Sequence, residues 1–237
     1  MIYRFDTLSS TNDEARNPRY LHGDIILADY QTEGRGQRGN SWSSVQGKNL
    51  MFSLVAEPVW LPASEQFSLL ECVALALVDT LAHYGIDATI KWTNDIYVGD
   101  RKLVGVLIEN SLGGHHLWRS IIGVGINVNQ SEFAPNLPNP TSMSLECGRE
   151  FPREDILELF VEHFWRRYEV LKSGQADTLH REYVQRMFRL NVESTFRLSD
   201  GTLLRGTIRN VAPHGDLIID TDHGLQQFLF KQIAFVI

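Results

Sequence analysis

The sequence has few of the features that mark secreted, zinc-binding or membrane proteins. It contains two cysteines in 237 residues, Cys72 and Cys147, and neither belongs to a Cys-x-x-Cys pair, so no zinc site or dithiol redox motif is predicted. The first segment, MIYRFDTLSSTNDEA, has neither the basic start nor the apolar stretch of a signal peptide. The longest apolar run, residues 67–82, carries two carboxylates and is shorter than the ~20 residues of a membrane-spanning helix. We therefore expect a cytoplasmic protein in which this run forms a buried helix and Cys72 a core residue.

An excess of positive charge is also missing. The formal net charge is −7, which argues against bulk electrostatic attraction to nucleic acid or to an anionic membrane. Hydrophobic residues make up 43% and charged residues 22%, a composition that supports a well-buried core. Any anionic ligand must therefore be held by a local group of basic residues.

The pattern of apolar residues predicts both strands and helices. Strands are expected at IYRF, DIILADY (24–30), NLMFSLVA (49–56), ATIKW, LVGVLIEN and LWRSIIGVGINV. Helices are expected at residues 67–82 and over REDILELFVEHFWRRYEVL and ADTLHREYVQRMF, with a shorter one opened by SSTNDEAR. A hairpin turn at Gly99-Asp100 follows the polar end of ATIKW, and the proline-rich segment 133–140 is expected to be a loop.

After about Leu190 the sequence changes from long helical patterns to short strand-like runs. Five short strand-like runs follow, separated by turn segments SDG, APHG and DHG. Several short strands at this spacing are typical of a small barrel or sandwich. We therefore predict a main domain over residues 1–190 and a small C-terminal domain over 191–237.

The first candidate for ligand binding is the segment EGRGQRGNSW, residues 33–42. Its glycines allow the backbone to approach a ligand closely, and its arginines offer forked donors for phosphate or carboxylate oxygens. It does not match the phosphate-binding pattern GxxxxGK[ST], nor does GxGxxG open a helix here. The alternative interpretation is an exposed loop with solvated arginines.

Two further segments carry polar residues at predicted strand ends. Lys91, Asn94 and Asp95 lie together, and Lys102 enters the next apolar strand, where burial of a lysine is costly unless it meets an anion. A surface lysine and a turn carboxylate are the alternatives. In GVGINVN, residues 123–129, the glycines suggest close approach of a ligand with Asn127 at its rim, or simply a relaxed strand end.

The order of these motifs resembles that of the biotin protein ligases along almost the whole chain. The matching pieces are SSTNDEA, QTEGRGQRGNSW, KWTNDIYV, RKLVGVLIE and GVGINVN. The resemblance implies an α+β fold in which helices flank a mixed central sheet, followed by a small SH3-like β-barrel. It also implies that the glycine-rich loop orders around its ligand.

The resemblance implies a ligase that joins biotin to ATP, with Mg²⁺, and releases pyrophosphate. The biotinyl-5′-adenylate then transfers biotin to a lysine of a biotin carboxyl carrier domain in a carboxylase. The family often forms homodimers by pairing central sheets, so a homodimer is expected. Only nine residues precede the STN motif at Ser10, so we expect no N-terminal DNA-binding domain, no DNA partner and no membrane partner.

The resemblance also assigns roles to individual residues. Lys102 matches a lysine that contacts both the biotin carboxylate and the α-phosphate, and we expect Lys102 and Arg35 to be catalytic. Asp95 matches a magnesium contact. The full set of expected binding residues is Ser10, Thr11, Asn12, Gln31, Arg35, Gly36, Gln37, Arg38, Trp42, Asn94, Asp95, Lys102, Gly105 and Asn127.

One position departs from the pattern. Gln37 stands where some family members carry arginine, and a neutral amide holds a phosphate less strongly than a guanidinium does. Retention of the adenylate is therefore expected to be weaker. The adjacent histidines His115 and His116 lie at a predicted hairpin end, where exposure to solvent is expected.

Two rival functions fit parts of the sequence. A lipoate or octanoate ligase or transferase of the same superfamily would also use an essential lysine, but its RRxSGGGxVYHD segment is missing here. A non-catalytic adaptor that binds peptides through the C-terminal strands would leave Lys102 and the glycine-rich loop without a purpose.

Overall fold

A seven-stranded sheet forms the larger part of the protein. The computed structural model describes residues 1–237, apart from the side chain of Arg38. The strands of this sheet are β1 (Ile2–Leu8), β2 (Ile25–Gln31), β3 (Leu50–Ala56), β4 (Thr89–Lys91), β5 (Asp95–Val98), β6 (Arg101–Gly113) and β7 (His116–Ile126). Their order is β1-β2-β3-β7-β6-β5-β4. The β1–β2 pair is parallel and the others are antiparallel, which confirms the mixed sheet.

The β2–β3 pair carries the glycine-rich loop between its strands, as predicted. The two strands pair from Ile25 opposite Leu54 to Ala28 opposite Met51. Every residue of β3 is buried, so both faces of this strand are covered. The chain between β2 and β3 is therefore presented at the end of a rigid pair of strands.

Three long helices supply the apolar face that packs on this sheet. They are α2 (Gln66–His83), α4 (Arg153–Lys172) and α5 (Ala176–Gln185). The aromatic rings of Phe52 on β3 and Phe160 on α4 lie 5.3 Å apart between centroids, and Cys72 on α2 is fully buried. The helical segment Ala63–His83 is long and apolar enough to cross a membrane, but 72% of its most apolar window is buried inside the protein. The prediction of a buried helix is confirmed.

Two short helices flank the site described below. The predicted α1 spans Thr11–Ala15, and α3 spans Met143–Cys147. The sequence did not predict α3, because its five residues follow a proline-rich loop and are too few to show a period. Its ends carry clear local signals: the Ser142 hydroxyl accepts a hydrogen bond from the Leu145 amide, and Gly148 ends the helix with a φ of 67°.

One strand was not predicted. ATIKW forms β4 as expected, but the chain turns after it and starts a separate strand, β5, at Asp95. Lys91 and Asp95 face each other as the last pair of the β4–β5 hairpin. Such short strands offer too few residues for an alternating pattern to appear in the sequence.

The C-terminal segment forms the five predicted strands. They are β8 (Glu193–Leu198), β9 (Leu203–Val211), β10 (Leu217–Thr221), β11 (Gly224–Phe228) and β12 (Ile233–Phe235). They form an antiparallel sheet in the order β11-β10-β9-β8-β12. Within the described residues β11 and β12 do not pair with each other, so the sheet is open at its edges and the expected barrel is not closed by hydrogen bonds.

The two sheets share one apolar core. The indole nitrogen of Trp92, just after β4, donates a hydrogen bond of 2.7 Å to the carbonyl of Gly215 in the β9–β10 turn. Phe67 on α2 packs against the same glycine. Buried residues of both sheets, such as Leu54 and Phe196, belong to one continuous cluster. The C-terminal sheet is thereby fixed beside the polar ends of β4 and β5.

Candidate functional site

A cleft of about 360 Å³ lies between the large sheet, the glycine-rich loop and the C-terminal sheet. Apart from Asn127, it brings together all the predicted site residues whose side chains the structure describes. Those that line it are Ser10, Thr11, Asn12, Gln31, Arg35, Gly36, Gln37, Trp42, Asn94, Asp95, Lys102 and Gly105.

One end of the cleft is a network of neutral polar side chains. Gln31 at the end of β2 accepts hydrogen bonds from the Thr11 amide at 2.7 Å and from the Thr11 hydroxyl at 3.1 Å. The Ser53 hydroxyl, fully buried on β3, donates toward Thr11 Oγ1 at 2.8 Å and toward Asn12 Oδ1 at 2.6 Å. Ser10 is the N-cap residue of α1 but makes no side-chain cap hydrogen bond. This end can therefore offer directed donors and acceptors to a polar, uncharged ligand group.

The glycine-rich loop forms a narrow turn over the cleft. The Trp42 amide donates to the Gly34 carbonyl at 2.8 Å, and the Gly36 amide donates to the Asn40 carbonyl at 2.6 Å. Between them Gln37 opens a short 3₁₀ turn. The side chain of Arg38 lies outside the described part of the chain. The loop thus places the Arg35 and Gln37 side chains at the cleft.

Arg35 is held by two carboxylates. Its guanidinium contacts Asp13 Oδ1 at 2.8 Å and Glu109 Oε2 at 3.0 Å. Its Nε is buried and has no hydrogen-bond partner among the described residues. The charge of Arg35 is therefore offset, although its Nε donor remains unused.

The Trp42 indole packs directly against the backbone of two glycines, Gly105 and Gly125. A Cβ atom on Gly105 would lie 2.8 Å from the Trp42 ring, and one on Gly125 would lie 2.5 Å from it. Gly105 was expected to allow close approach of a ligand, and in this structure the group that approaches is the Trp42 indole. Its Nε1 is buried and makes no hydrogen bond to any described residue.

Three charged side chains stand together at the other end of the cleft. Lys102 Nζ forms an ion pair of 2.7 Å with Asp95 Oδ1. Lys91 Nζ donates to Tyr97 Oη at 3.1 Å and lies over the ring of Phe235. Burial lowers the pKa of Lys91, although the charge of Asp95 opposes this shift. This end is suited to an anionic group.

Two asparagines among the expected binding residues lie in different surroundings. Asn94 lines the cleft, where its side chain accepts from Thr93 Oγ1 at 2.9 Å and donates to the Val106 carbonyl. Asn127 is not among the residues that line the cleft. It is buried, and its amide donates to the Thr141 carbonyl at 2.9 Å.

The sequence did not identify several residues of this site. Ser53 and Glu109 connect the predicted residues to one another, and Phe230 and Phe235 of the C-terminal sheet line the cleft. Ser53 lies in an apolar strand, where a single serine carries no signal of its own. The aromatic residues reach the cleft only because the two sheets pack together.

The fit of a divalent cation depends on Asp95. No group of three or more His, Cys, Asp or Glu side chains among the described residues is placed to hold a metal. Asp95 is the one carboxylate among the described residues that line the cleft. Magnesium is commonly held by one or two carboxylates together with substrate phosphates, so this residue fits a cation that arrives with a nucleotide.

Residues 4–127 match the model of the Biotin/lipoate A/B protein ligase family. The chain belongs to this family. All the site residues that were predicted from the sequence, from Ser10 to Asn127, lie within this matched range.

Similar proteins are named as biotin ligases. The Bifunctional ligase/repressor BirA of Bacillus subtilis is 30% identical over 241 residues, which cover 98% of this chain and 73% of that protein. The Biotin--[acetyl-CoA-carboxylase] ligase of Paracoccus denitrificans is 29% identical, with 99% of each chain covered. The biotin protein ligase of Aquifex aeolicus, solved with biotin and ATP, superposes with a TM-score of 0.85 at 23% identity over 99% of this chain and 98% of that one, which confirms the fold.

Proposed function

We propose that this protein is a biotin–[carboxyl carrier protein] ligase. It joins biotin and ATP into biotinyl-5′-AMP and passes the biotin to a lysine of a carboxylase carrier domain. The observation that carries the proposal is the cleft itself, which has a neutral polar network at one end and the Lys102–Asp95 pair at the other, in a chain whose relatives are biotin ligases.

The two ends of the cleft suit the two ends of the substrate. The neutral network of Gln31, Thr11 and Asn12 offers hydrogen bonds to the ureido ring of biotin, which carries no charge. Lys102, which pairs with Asp95 at the other end, is the cation we assign to the carboxylate of biotin and the α-phosphate. Asn94 and Asp95 then lie on the nucleotide side, with Asp95 as a contact for Mg²⁺ bound to ATP.

The first step brings two anions together. A carboxylate oxygen of biotin attacks the α-phosphorus, a new carbon–oxygen–phosphorus linkage forms, and the bond to the β-phosphate oxygen breaks to release pyrophosphate. The positive charge of Lys102 offsets the repulsion and stabilises the negative charge of the transition state, and Arg35, whose charge is largely offset by Asp13 and Glu109, contributes less. The carboxylate is already ionised, so this step needs no general base.

The second step forms an amide. The ε-amine of the carrier lysine attacks the acyl carbon of the adenylate, the bond to the AMP oxygen breaks, and the amine loses a proton. AMP is a good leaving group, so the step depends mainly on the position of the incoming amine. The glycine-rich loop, with Gly36 at its turn, covers the adenylate between the two steps.

We give Asn127 a positioning role rather than a direct contact with ATP. Its amide holds the Thr141 carbonyl, and the Thr141 amide donates to the Lys102 carbonyl at 2.9 Å. The Lys102 amide donates to Asn139 in the same segment at 2.7 Å. Asn127 thereby supports the backbone on both sides of Lys102.

The decisive test is an adenylation assay without a carrier. Purified protein is incubated with Mg²⁺, labelled ATP and biotin, lipoate or octanoate in parallel. We expect biotinyl-adenylate and pyrophosphate with biotin alone. Adenylate from lipoate or octanoate in its place would keep the Lys102 chemistry and change the substrate, whereas no adenylate from any of the acids would contradict the proposal.

We further propose a homodimer formed through β6. From Ile108 to Gly113 this strand pairs with β7 on one side, and no described strand pairs with its other side. Leu112 and Trp118 near the end of this hairpin are 61% and 59% exposed. An unpaired strand edge beside exposed apolar side chains suits a second copy of the same sheet. Sedimentation of the wild type and of Trp118→Lys tests this: we expect a dimer that the substitution weakens, and a wild-type monomer at high concentration would contradict it.

The proposed setting is cytoplasmic, with the carrier domain as the protein partner. Both cysteines are free in the structure, which suits a reducing compartment.

A further inference from the structure

We propose that Glu109 is a positioning residue that couples biotin binding to closure of the glycine-rich loop. Glu109 lies on β6, in the matched family range, and touches the neutral polar end of the cleft and the loop arginine at the same time. The inference rests on the proposed function, because it assigns a biotin-dependent task to this carboxylate.

The carboxylate of Glu109 accepts hydrogen bonds from three different side chains. Its Oε2 accepts from Asn12 Nδ2 at 2.9 Å and from Arg35 Nη2 at 3.0 Å. Its Oε1 accepts from Arg35 Nη1 at 3.2 Å and from Arg16 Nη2 at 2.7 Å. Arg35 is therefore bound in the two-pronged geometry that fixes a guanidinium in one plane.

The contact with Asn12 links Glu109 to the rest of the polar network. Asn12 is 4% exposed, and its Oδ1 accepts from the Ser53 hydroxyl while its Nδ2 donates to Glu109. The amide is thereby held at both ends, in one orientation. A ligand group that meets Asn12 meets a side chain whose position depends on Glu109.

The Nε donor of Arg35 is used by neither carboxylate. Its two Nη atoms contact Glu109 and Asp13, whereas its Nε is buried without a partner among the described residues. Arg35 also lines the cleft. Glu109 therefore holds the guanidinium of a loop residue that itself lines the cleft, and loop and ligand are joined through this single arginine.

The charge of Glu109 is stable at neutral pH. Burial alone would raise its pKa, but hydrogen bonds from Asn12 and Arg35, with the charges of Arg35 and Arg16, lower it below the ordinary value for glutamate. The neutral isostere Glu109→Gln keeps the size of the side chain and loses this charge.

The test measures biotin affinity and loop mobility separately. Biotin binding without ATP is followed by calorimetry, and hydrogen exchange of the amides of residues 33–42 is followed by mass spectrometry, with and without biotin. For Glu109→Gln we expect biotin affinity to fall about tenfold, which is about 1.4 kcal/mol, and biotin to protect the loop amides much less than in the wild type.

A matched variant separates positioning from simple charge neutralisation. Asp13→Asn removes the other carboxylate on Arg35, and among the described hydrogen bonds the Asp13 side chain makes none to Asn12. We expect it to raise loop exchange and leave biotin affinity within about twofold. Glu57→Gln, which removes an ion pair with Arg119 elsewhere, serves as the control and should match the wild type in both measurements.

A double-mutant cycle with Arg35→Ala completes the test. If Glu109 acts on the loop through Arg35, then Glu109→Gln adds no further loss of loop protection once Arg35 is absent. Full additivity, or a Glu109→Gln protein with wild-type affinity and protection, would overturn the inference. Absence of adenylate with the wild type would instead overturn the proposed function, and the inference with it.

Discussion

Lys102 carries the largest expected effect of any single side chain. Its ammonium pairs with Asp95 and is 31% exposed, so its removal leaves no unpaired charge deep in the core. We expect Lys102→Ala to slow biotinyl-adenylate formation by about 1,000-fold, because the charge that meets the α-phosphate is lost, with little change in melting temperature. Single-turnover rates with labelled ATP give the measurement. Lys48→Ala, at an exposed ion pair with Glu150, is the control, and a normal rate for Lys102→Ala would contradict the role.

Gln37 offers a gain-of-charge test. It lines the cleft in the loop, where an amide holds a phosphate less strongly than a guanidinium does. We expect Gln37→Arg to slow the release of free biotinyl-adenylate several-fold when no carrier is present. The release rate after rapid removal of ATP measures this directly. Equal rates for the two proteins would show that residue 37 does not retain the adenylate.

The sequence identified many of the side chains that form the site, but not the residues with which they form ion pairs and hydrogen bonds. Lys102 and Arg35 could be named from residue type and motif order. Their ion pairs with Asp95 and Glu109 could not, because those contacts form between strands and loops that meet only in the folded chain. Asn127 was likewise named from motif order, but the sequence could not show that its side-chain amide donates to the Thr141 carbonyl.

At the scale of elements, periodicity predicted what was long enough to show a period. Helices α2 and α4 repeat their apolar residues over many turns, and the β2–β3 pair has a turn-rich segment between two apolar runs. Strand β5 and helix α3 were not predicted: β5 has four residues that follow β4 closely, and α3 has five residues that follow a proline-rich segment. The boundary near residue 190 stays a prediction, although the second sheet does begin at Glu193.

The contact between α5 and α2 depends on pH. His180 Nδ1 lies 2.7 Å from Oε1 of Glu71, which is 1% exposed. The hydrogen bond to Glu71 raises the pKa of His180, and burial raises the pKa of Glu71. The folded protein therefore holds more protons than the unfolded chain. This stabilisation is fully present below the unfolded pKa of histidine, about 6.5, and is lost as the pH rises through the folded pKa.

We expect the free energy of unfolding to fall by about 1 kcal/mol as the pH rises from about 6.5 through the raised pKa of His180. Urea unfolding at a series of pH values measures this. His180→Gln should flatten the curve, whereas His223→Gln, in an exposed turn, should leave it unchanged. A flat curve for the wild type would contradict a protonated His180 in the folded state.

At the scale of the whole molecule, the cleft needs both sheets. Phe235 of β12 lines it, and its ring lies 5.1 Å from Phe196 and 5.5 Å from Phe188 between centroids. Nothing in five short strands indicates which neighbours they will meet, so the sequence could not assign this segment to the site. The packing of the sheets creates the contact.

Removal of the Phe235 ring should therefore weaken catalysis as well as packing. We expect Phe235→Ala to lower kcat/KM for adenylation roughly tenfold or more at temperatures far below unfolding, because one wall of the cleft is lost. Leu225→Ala, an exposed residue of the same sheet, is the matched control. If both variants kept full activity, the C-terminal sheet would be a neighbour of the cleft and not part of it.

The paired cations of the cleft have a consequence for how substrates arrive. Lys102 and Arg35 each lie against a carboxylate, and the whole chain has a net charge of −7, so little positive field extends into solvent. Long-range steering of an anion requires such a field, and screening by salt acts on it. The second-order rate constant for ATP capture should therefore change by less than about threefold between low and physiological ionic strength. Stopped-flow measurements across a salt series would show it, and a steep decline would mean that the ion pairs open before the nucleotide reaches the cleft.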